Sequence, residues 1–257
     1  MLPAYAACLP VGEPRAEPAS IAGALFDPVR GVYRGSGVLV SSCHVLTNHH
    51  VAFTGAPVAG QRLAFLSAPD AHGRRRGAVT GSVVAWNPDF WPERRFHQDW
   101  ALIVLDHPVN GDPHAELPDE ALSPRAVGHL VRENGVVSLG YVFPSPTVGG
   151  AVPRLKREAC SLRAHGPTRY TNCTIVPGNS GGPLLRELDG RQIVVGLNVA
   201  WRIESGGAVA AGESDLARWN PVVPLDPLSG NVSAVRRAMA QHACSGTRAA
   251  ARTVTGA

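Results

Sequence analysis

Apolar residues along this chain fall into short β-branched runs closed by turn formers, a strand pattern rather than a helical one. The N-terminal half carries Gly37-Val38-Leu39-Val40, Val45-Leu46-Thr47, Arg62 to Leu66, Val79 to Trp86 and Ala101 to Leu105. Glycine, proline, asparagine or serine punctuates them, as expected of strands joined by tight turns. A second series comprises Gly128 to Val131, Val136 to Val142, Ala159 to Leu162, Thr171 to Ile175, Pro183 to Leu185, Ile193 to Val199 and Ala208 to Ala210. Between the series, residues 113–126 are rich in proline and acids and read as a linker. Two such series, over 31–112 and 127–228, predict an all-β fold of two closed barrels or sandwiches. Residues 1–30, rich in proline and alanine, read as an arm laid over the surface. Helical periodicity is confined to 229–244: Val232, Val235 and Met239 share one face, Arg236, Arg237 and Gln241 lie largely on the other, and Asn231 is the expected N-cap. Residues 245–257 lack apolar periodicity and read as a tail.

Composition narrows the function without naming it. At 257 residues, 44% hydrophobic and 17% charged, the chain can bury a core without metal or disulfide support. It has no 18-residue apolar run, so no membrane span is expected. Lys156 is the only lysine among 24 basic residues, so the net charge of +4 comes from a bias towards arginine. The clusters Arg74 to Arg76, Arg154 with Lys156 and Arg157, and Arg236 with Arg237 are scattered without interleaved aromatics. They read as solvated faces, and no nucleic-acid partner is expected. Five cysteines allow two disulfides plus a free thiol, or five reduced side chains. Met1 to Leu9 looks like a fragment of an apolar leader without its basic segment. The expected location is secreted or periplasmic, with the cytoplasm as the alternative; oligomeric state leaves no signature.

Candidate chemistry centres on Pro177-Gly178-Asn179-Ser180-Gly181-Gly182-Pro183. Glycines and prolines at this density demand a tight irregular turn, which presents Ser180 on a bend and can aim the amides of Gly178 and Ser180 into one small space. Upstream, Val45 to Val51 is a strand running into a short turn or helix that holds His49 and His50, and His97-Gln98-Asp99 precedes the apolar strand at Ala101. A carboxylate beside so apolar a strand needs a partner. Histidine is the partner that nucleophilic catalysis requires: the acid fixes its tautomer, and its other nitrogen takes the serine proton. Two rival readings use some of the same residues. Gly178-x-Ser180-x-Gly182 also fits the nucleophile elbow of α/β-hydrolases, with Asp226 and His242 following in order, but Pro183 disfavours the helix that fold places after its serine. A metal site at His44, His49 and His50 lacks a helix to align them and lacks paired acids or thiols, so none is expected, and no cofactor is called for.

Taken together, Gly35-Ser36-Gly37-Val38-Leu39-Val40, Leu46-Thr47-Asn48-His49-His50-Val51, Asp99-Trp100-Ala101-Leu102, Cys173 seven positions before Ser180, and Gly178 to Leu184 resemble trypsin-like serine peptidases. The likeness is strongest to the bacterial branch that holds glutamyl-endopeptidase-like and HtrA-like enzymes, and it covers about residues 30 to 225 in the family's chain order. The resemblance implies a chymotrypsin-like pair of β-barrels with a C-terminal helix and no PDZ domain. It also implies His50 as base, Asp99 as its orienter, Ser180 as nucleophile, and Gly178 and Ser180 as oxyanion-hole donors. It further places Thr174, Ile175 and Asn198 at the substrate pocket and pairs Cys160 with Cys173. Three departures qualify it. Asn179 stands where N-terminally activated members carry an acid, so the enzyme is expected to be active as made. Asn198 replaces the pocket histidine of glutamyl-specific members, and no acid is evident near Thr174, so a small to medium apolar residue is expected before the scissile bond. Val51 stands where many relatives have a cysteine beside the histidine, which leaves Cys43 free; Cys8 can then pair with Cys244, although Cys8 with Cys43 is equally allowed. The expected function is serine endopeptidase action on protein or peptide substrates through an acyl-enzyme. A catalytically silent binding module on the same fold, or an esterase of the α/β-hydrolase type, is the alternative.

Overall fold

The computed structural model describes residues 21–67, 77–90, 95–109, 113–120, 135–142, 153–165, 168–199 and 219–244. Strands dominate. The first unit contains β1 (Ala22–Phe26), β2 (Tyr33–Leu39), β3 (His44–Thr47), β4 (Arg62–Ser67), β5 (Val79–Trp86) and β6 (Ala101–Leu105), closed into a barrel in the order β1-β2-β3-β6-β5-β4. Every pairing in it is antiparallel. β1 falls within the stretch read as a surface arm. Far from lying outside, it pairs with both β2 and β4 and closes the barrel.

The second unit contains β7 (Val136–Val142), β8 (Arg154–Cys160), β9 (Leu162–His165), β10 (Thr168–Thr171), β11 (Pro183–Leu188), β12 (Arg191–Asn198) and β13 (Asn220–Pro224). They form one antiparallel sheet in the order β8-β7-β11-β12-β13-β10-β9, a half-barrel rather than a closed one. Its two edge strands, β8 and β9, are separated in the chain by Ser161 alone, so the sheet must curl until these edges meet at a corner. The strands expected at Gly128 to Val131 and Ala208 to Ala210 lie outside the described residues, as do Cys8 and the tail.

The apolar run at β6 is continuous because both its faces are covered. Ala101, Ile103 and Leu105 point into the barrel with Leu25, Val45, Leu63, Phe65 and Val83. Leu102 faces the other way, joining Val38, Leu46 and Trp100 of the first unit to Leu139, Leu185, Val194, Leu197 and Val223 of the second. Each such side chain contributes about 1.5–3 kcal/mol when buried, so this shared core makes the units one packed body. The linker adds hydrogen bonds to both: Ala115 N donates to Leu39 O at 2.9 Å, and Glu116 exchanges bonds of 2.8 and 2.9 Å with Gln192 and Val194.

A terminal helix, Asn231–Gln241, buries Val232, Val235 and Ala238 in that shared core, while Met239 is packed against its edge. Asn231 is its first residue rather than the expected cap; Gly230 takes that position with φ of 73°. The Asn231 amide instead donates to His97 O and Pro224 O, both at 2.9 Å, tying the helix start to both units. Beyond the helix the chain returns to the first barrel: His44 Nε2 donates to His242 O at 2.8 Å, and Cys43 is bonded to Cys244. Cys43 is therefore not free, and the pairings of Cys8 considered from the sequence give way to a bridge spanning 201 residues. Gly35 abuts Val51, where a Cβ would lie 2.8 Å from a methyl of that side chain.

Candidate active site

His50 owes its place to strand register. Thr47 on β3 is the last residue paired with β6, opposite Ala101, so His50 and Asp99 lie just past that rung on neighbouring strands. After Asn48, whose backbone is extended, the chain winds into one helical turn, α1 (His49–Ala52), closed by Ala52 N to Asn48 O at 3.0 Å. Before β6, a 3-10 turn over Phe96–Gln98 delivers Asp99. The fully buried Asn48 donates its amide to Asp99 O at 2.8 Å, locking the two approaches together.

Asp99 is completely buried, and both carboxylate oxygens are engaged. Oδ2 lies 2.5 Å from His50 Nδ1, and Oδ1 accepts from the His50 backbone N–H at 3.1 Å. An ionised carboxylate only accepts, so Nδ1 carries the proton and Nε2 is left as the basic nitrogen. The His50 side chain keeps 24% of its surface exposed, enough to meet a substrate. The neighbouring imidazoles have other partners: His49 packs between the tilted rings of Phe53 and Phe90, with centroids 4.9 and 4.7 Å away, and His44 bonds Ser41 and His242. Burial lowers the pKa of both below the ordinary histidine value.

Ser180 sits in a turn that the sequence forces. Pro177 and Gly178 occupy the corner of a turn closed by Asn179 N to Val176 O at 3.0 Å; the φ of 99° at Gly178 is the sign a type II turn requires of its third residue. Further bonds tie the loop to its surroundings. Asn179 O accepts from Gly182 N at 2.9 Å, so peptide planarity sends the Ser180 N–H the opposite way. Ser180 O accepts from Ser36 N at 2.8 Å, and Gly181 N donates to Asn198 O at 3.0 Å. Gly181 is indispensable, since a Cβ there would stand 2.2 Å from both Ser36 O and Thr47 Oγ1 and 3.2 Å from Asn48 N. Gly181 of the serine loop thus meets Ser36, Thr47 and Asn48 across the two units, which sets this loop beside the turn that holds His50.

The remaining pocket candidates are placed less simply. Asn198 is wholly buried, and its amide is used by β7, accepting from Ser138 Oγ at 3.1 Å and donating to Leu139 O at 3.0 Å. It braces the serine loop. Thr174 is exposed and Ile175 half-buried. An acid does approach Thr174, contrary to expectation: Glu158 on β8 accepts from its N–H at 3.0 Å and its hydroxyl at 3.2 Å. Lys156 already neutralises that carboxylate at 2.6 Å and also donates to Thr174 O. Cys160 and Cys173 are bonded, as the resemblance implied.

The hydrolase alternative finds no support in this geometry, because β11 rather than a helix follows the serine loop. Its acid, Asp226, is buried 3.2 Å from Arg169 Nε and caps the next turn through Leu228 N. Sequence reasoning missed Tyr33, Ser36 and Asn48, whose polar atoms hold the site from β2 and the β3–α1 junction; the serine between two strand glycines was the one available signal.

A family model, the trypsin-like peptidase domain, matches residues 35–197, more than half of the chain. The chain belongs to the trypsin-like peptidases. The closed six-stranded barrel, the half-barrel and the terminal helix are accordingly a chymotrypsin-like fold. Protease Do-like 1, chloroplastic, of Arabidopsis thaliana is 28% identical over 202 residues, covering 76% of this chain and 37% of that protein. The chain thus spans little more than a third of that relative's length. Among the described residues of this trypsin-like peptidase, no helix is long and apolar enough to cross a membrane.

Proposed function

We propose that this trypsin-like peptidase is a serine endopeptidase acting through an acyl-enzyme, with Ser180 as nucleophile, His50 as general base and Asp99 as its orienter. The observation that carries this reading is the buried Asp99 carboxylate 2.5 Å from His50 Nδ1, at a junction against which the Ser180 loop packs. As Ser180 Oγ attacks the substrate carbonyl carbon, its proton passes to His50 Nε2. The resulting imidazolium is stabilised by Asp99. The amides of Gly178 and Ser180 receive the oxyanion; one such donor is worth about 10²–10³-fold in kcat. Collapse of the tetrahedral adduct breaks the C–N bond, His50 returns the proton to the leaving amine, and water repeats the sequence in reverse order to free the acid product.

Protein or peptide chains are the substrates. Thr174 and Ile175 at the pocket base, with Glu158 matched by Lys156, favour a neutral, small to medium apolar side chain before the scissile bond. Two disulfides fit an oxidising compartment, so we place the enzyme outside the cytoplasm. Cleavage of a denatured protein such as casein tests the activity: it should vanish in Ser180→Ala and His50→Ala. Persisting cleavage in either purified variant would refute the assignment.

A further inference from the structure

The Gly178 carbonyl accepts two hydrogen bonds from the other unit. The Tyr33 hydroxyl donates to it at 2.9 Å and the Ser36 hydroxyl at 2.7 Å, both from β2. Ser36 is wholly buried and Tyr33 only 7% exposed, so neither bond can be exchanged cheaply for one to water. The Ser36 oxygen accepts from Tyr141 N at 2.8 Å, which directs its proton towards Gly178. Burial raises the Tyr33 pKa, so the phenol stays a donor throughout the physiological range.

The same peptide is held at its other end by Asn179 N to Val176 O at 3.0 Å. The neutral Asn179 side chain, with no charge for an ammonium group to pair with, ties the start of the turn to β7: Oδ1 accepts from Val176 N at 3.0 Å and Nδ2 donates to Tyr141 O at 2.9 Å. With both flanking peptides fixed, the Pro177–Gly178 peptide between them is left the orientations of a type I or a type II turn. The φ of 99° is the second. Glycine ranges more widely in φ and ψ than any other residue, so a loop that depends on Gly178 needs such outside holders.

We propose that Tyr33 and Ser36 are positioning residues, which from the first barrel anchor the Gly178–Asn179 peptide of the second unit in the type II turn whose Pro177–Gly178 peptide presents the Gly178 N–H to the oxyanion. This rests on the serine-endopeptidase reading above. It makes the oxyanion hole a product of barrel docking, built without an ion pair at residue 179. Neither hydroxyl touches the substrate; both act through Gly178.

The test uses the full chain with Tyr33→Phe, Ser36→Ala, the double variant and Ser36→Thr, assayed on the p-nitrophenyl ester of acetylalanine. Each single loss should lower kcat about 10-fold and the double about 10²-fold, the scale of one oxyanion donor, with KM held within about 3-fold. Affinity for acetyl-alaninal, whose hemiacetal places an oxyanion in the same site, should fall in step with kcat. The His50 ring resonances should titrate as in the parent, and Ser36→Thr should recover most of the rate. An unchanged kcat in the double variant overturns the proposal. So does a loss of kcat accompanied by a shifted His50 titration, or an equal loss in Ser36→Thr, since either marks general damage. Failure of a fluorophosphonate to label Ser180 in the parent would instead remove the underlying reading, and the proposal with it.

Discussion

The acid–base half of the site and the nucleophile half are held together by different means. His50 and Asp99 come from one barrel and meet through one contact between side chains, reinforced by the His50 backbone and the Asn48 amide. Ser180 lies in a loop whose peptides bond to β2 on one side and β12 on the other, with glycines admitting the neighbours at close range. The first half is exposed to changes of side-chain chemistry. The second depends on main-chain bonds and on the two hydroxyls that hold Gly178, and it tolerates no added volume at Gly181, so substitutions can separate the two.

The largest effect is expected from Asp99→Asn. The amide keeps the shape of the carboxylate but no longer enforces the Nδ1–H tautomer, so kcat should fall about 10⁴-fold while the fold persists; steady-state kinetics and circular dichroism together check this. Gly181→Ala attacks the other half. Its Cβ would stand 2.2 Å from Ser36 O, at a residue with φ of 81°, so denaturant unfolding should show a loss of about 4 kcal/mol or more. If that variant were as stable as the parent, the close approach of loop and barrel would be wrong.

Next in size is the Cys43–Cys244 bridge, which ties the terminal helix to the barrel that carries His50. Replacing both cysteines by alanine should cost about 2–4 kcal/mol in urea unfolding, with kcat nearly unchanged, because neither half of the site touches it. The smallest effect concerns pH. His44 and His49 have pKa values lowered by burial, whereas in the unfolded chain they titrate near about 6.5. As pH falls below that value the unfolded chain binds the extra protons first, so stability declines. The urea midpoint should drop between pH 7.5 and 5.5, and His49→Gln should drop less; an equal drop would exclude His49 as a source.

How much was legible in the sequence differed between the same two regions. Val79–Trp86, Ala101–Leu105 and Val136–Val142 run over the bounds their apolar patterns predict, since strands buried on one or both faces write that burial directly into the chain. β1, an Ala-Gly-Ala-Leu-Phe segment in proline-rich surroundings, carries little strand preference of its own and is recruited by its neighbours on both sides. β13, with two prolines in five residues, was equally silent. His50 and Asp99 stood out because a carboxylate beside an apolar strand needs a partner. The hydroxyls of Tyr33 and Ser36, and the pairing of Cys43 with Cys244, depend on contacts between residues 142 to 201 positions apart, which no local pattern encodes.

The most direct test of the central claim is covalent labelling of the native protein with a fluorophosphonate, read by peptide mass spectrometry. The account predicts a single adduct on Ser180, absent in Ser180→Ala and slowed by several orders of magnitude in His50→Ala. A folded protein that takes up no label, or takes it up at another residue, would contradict it.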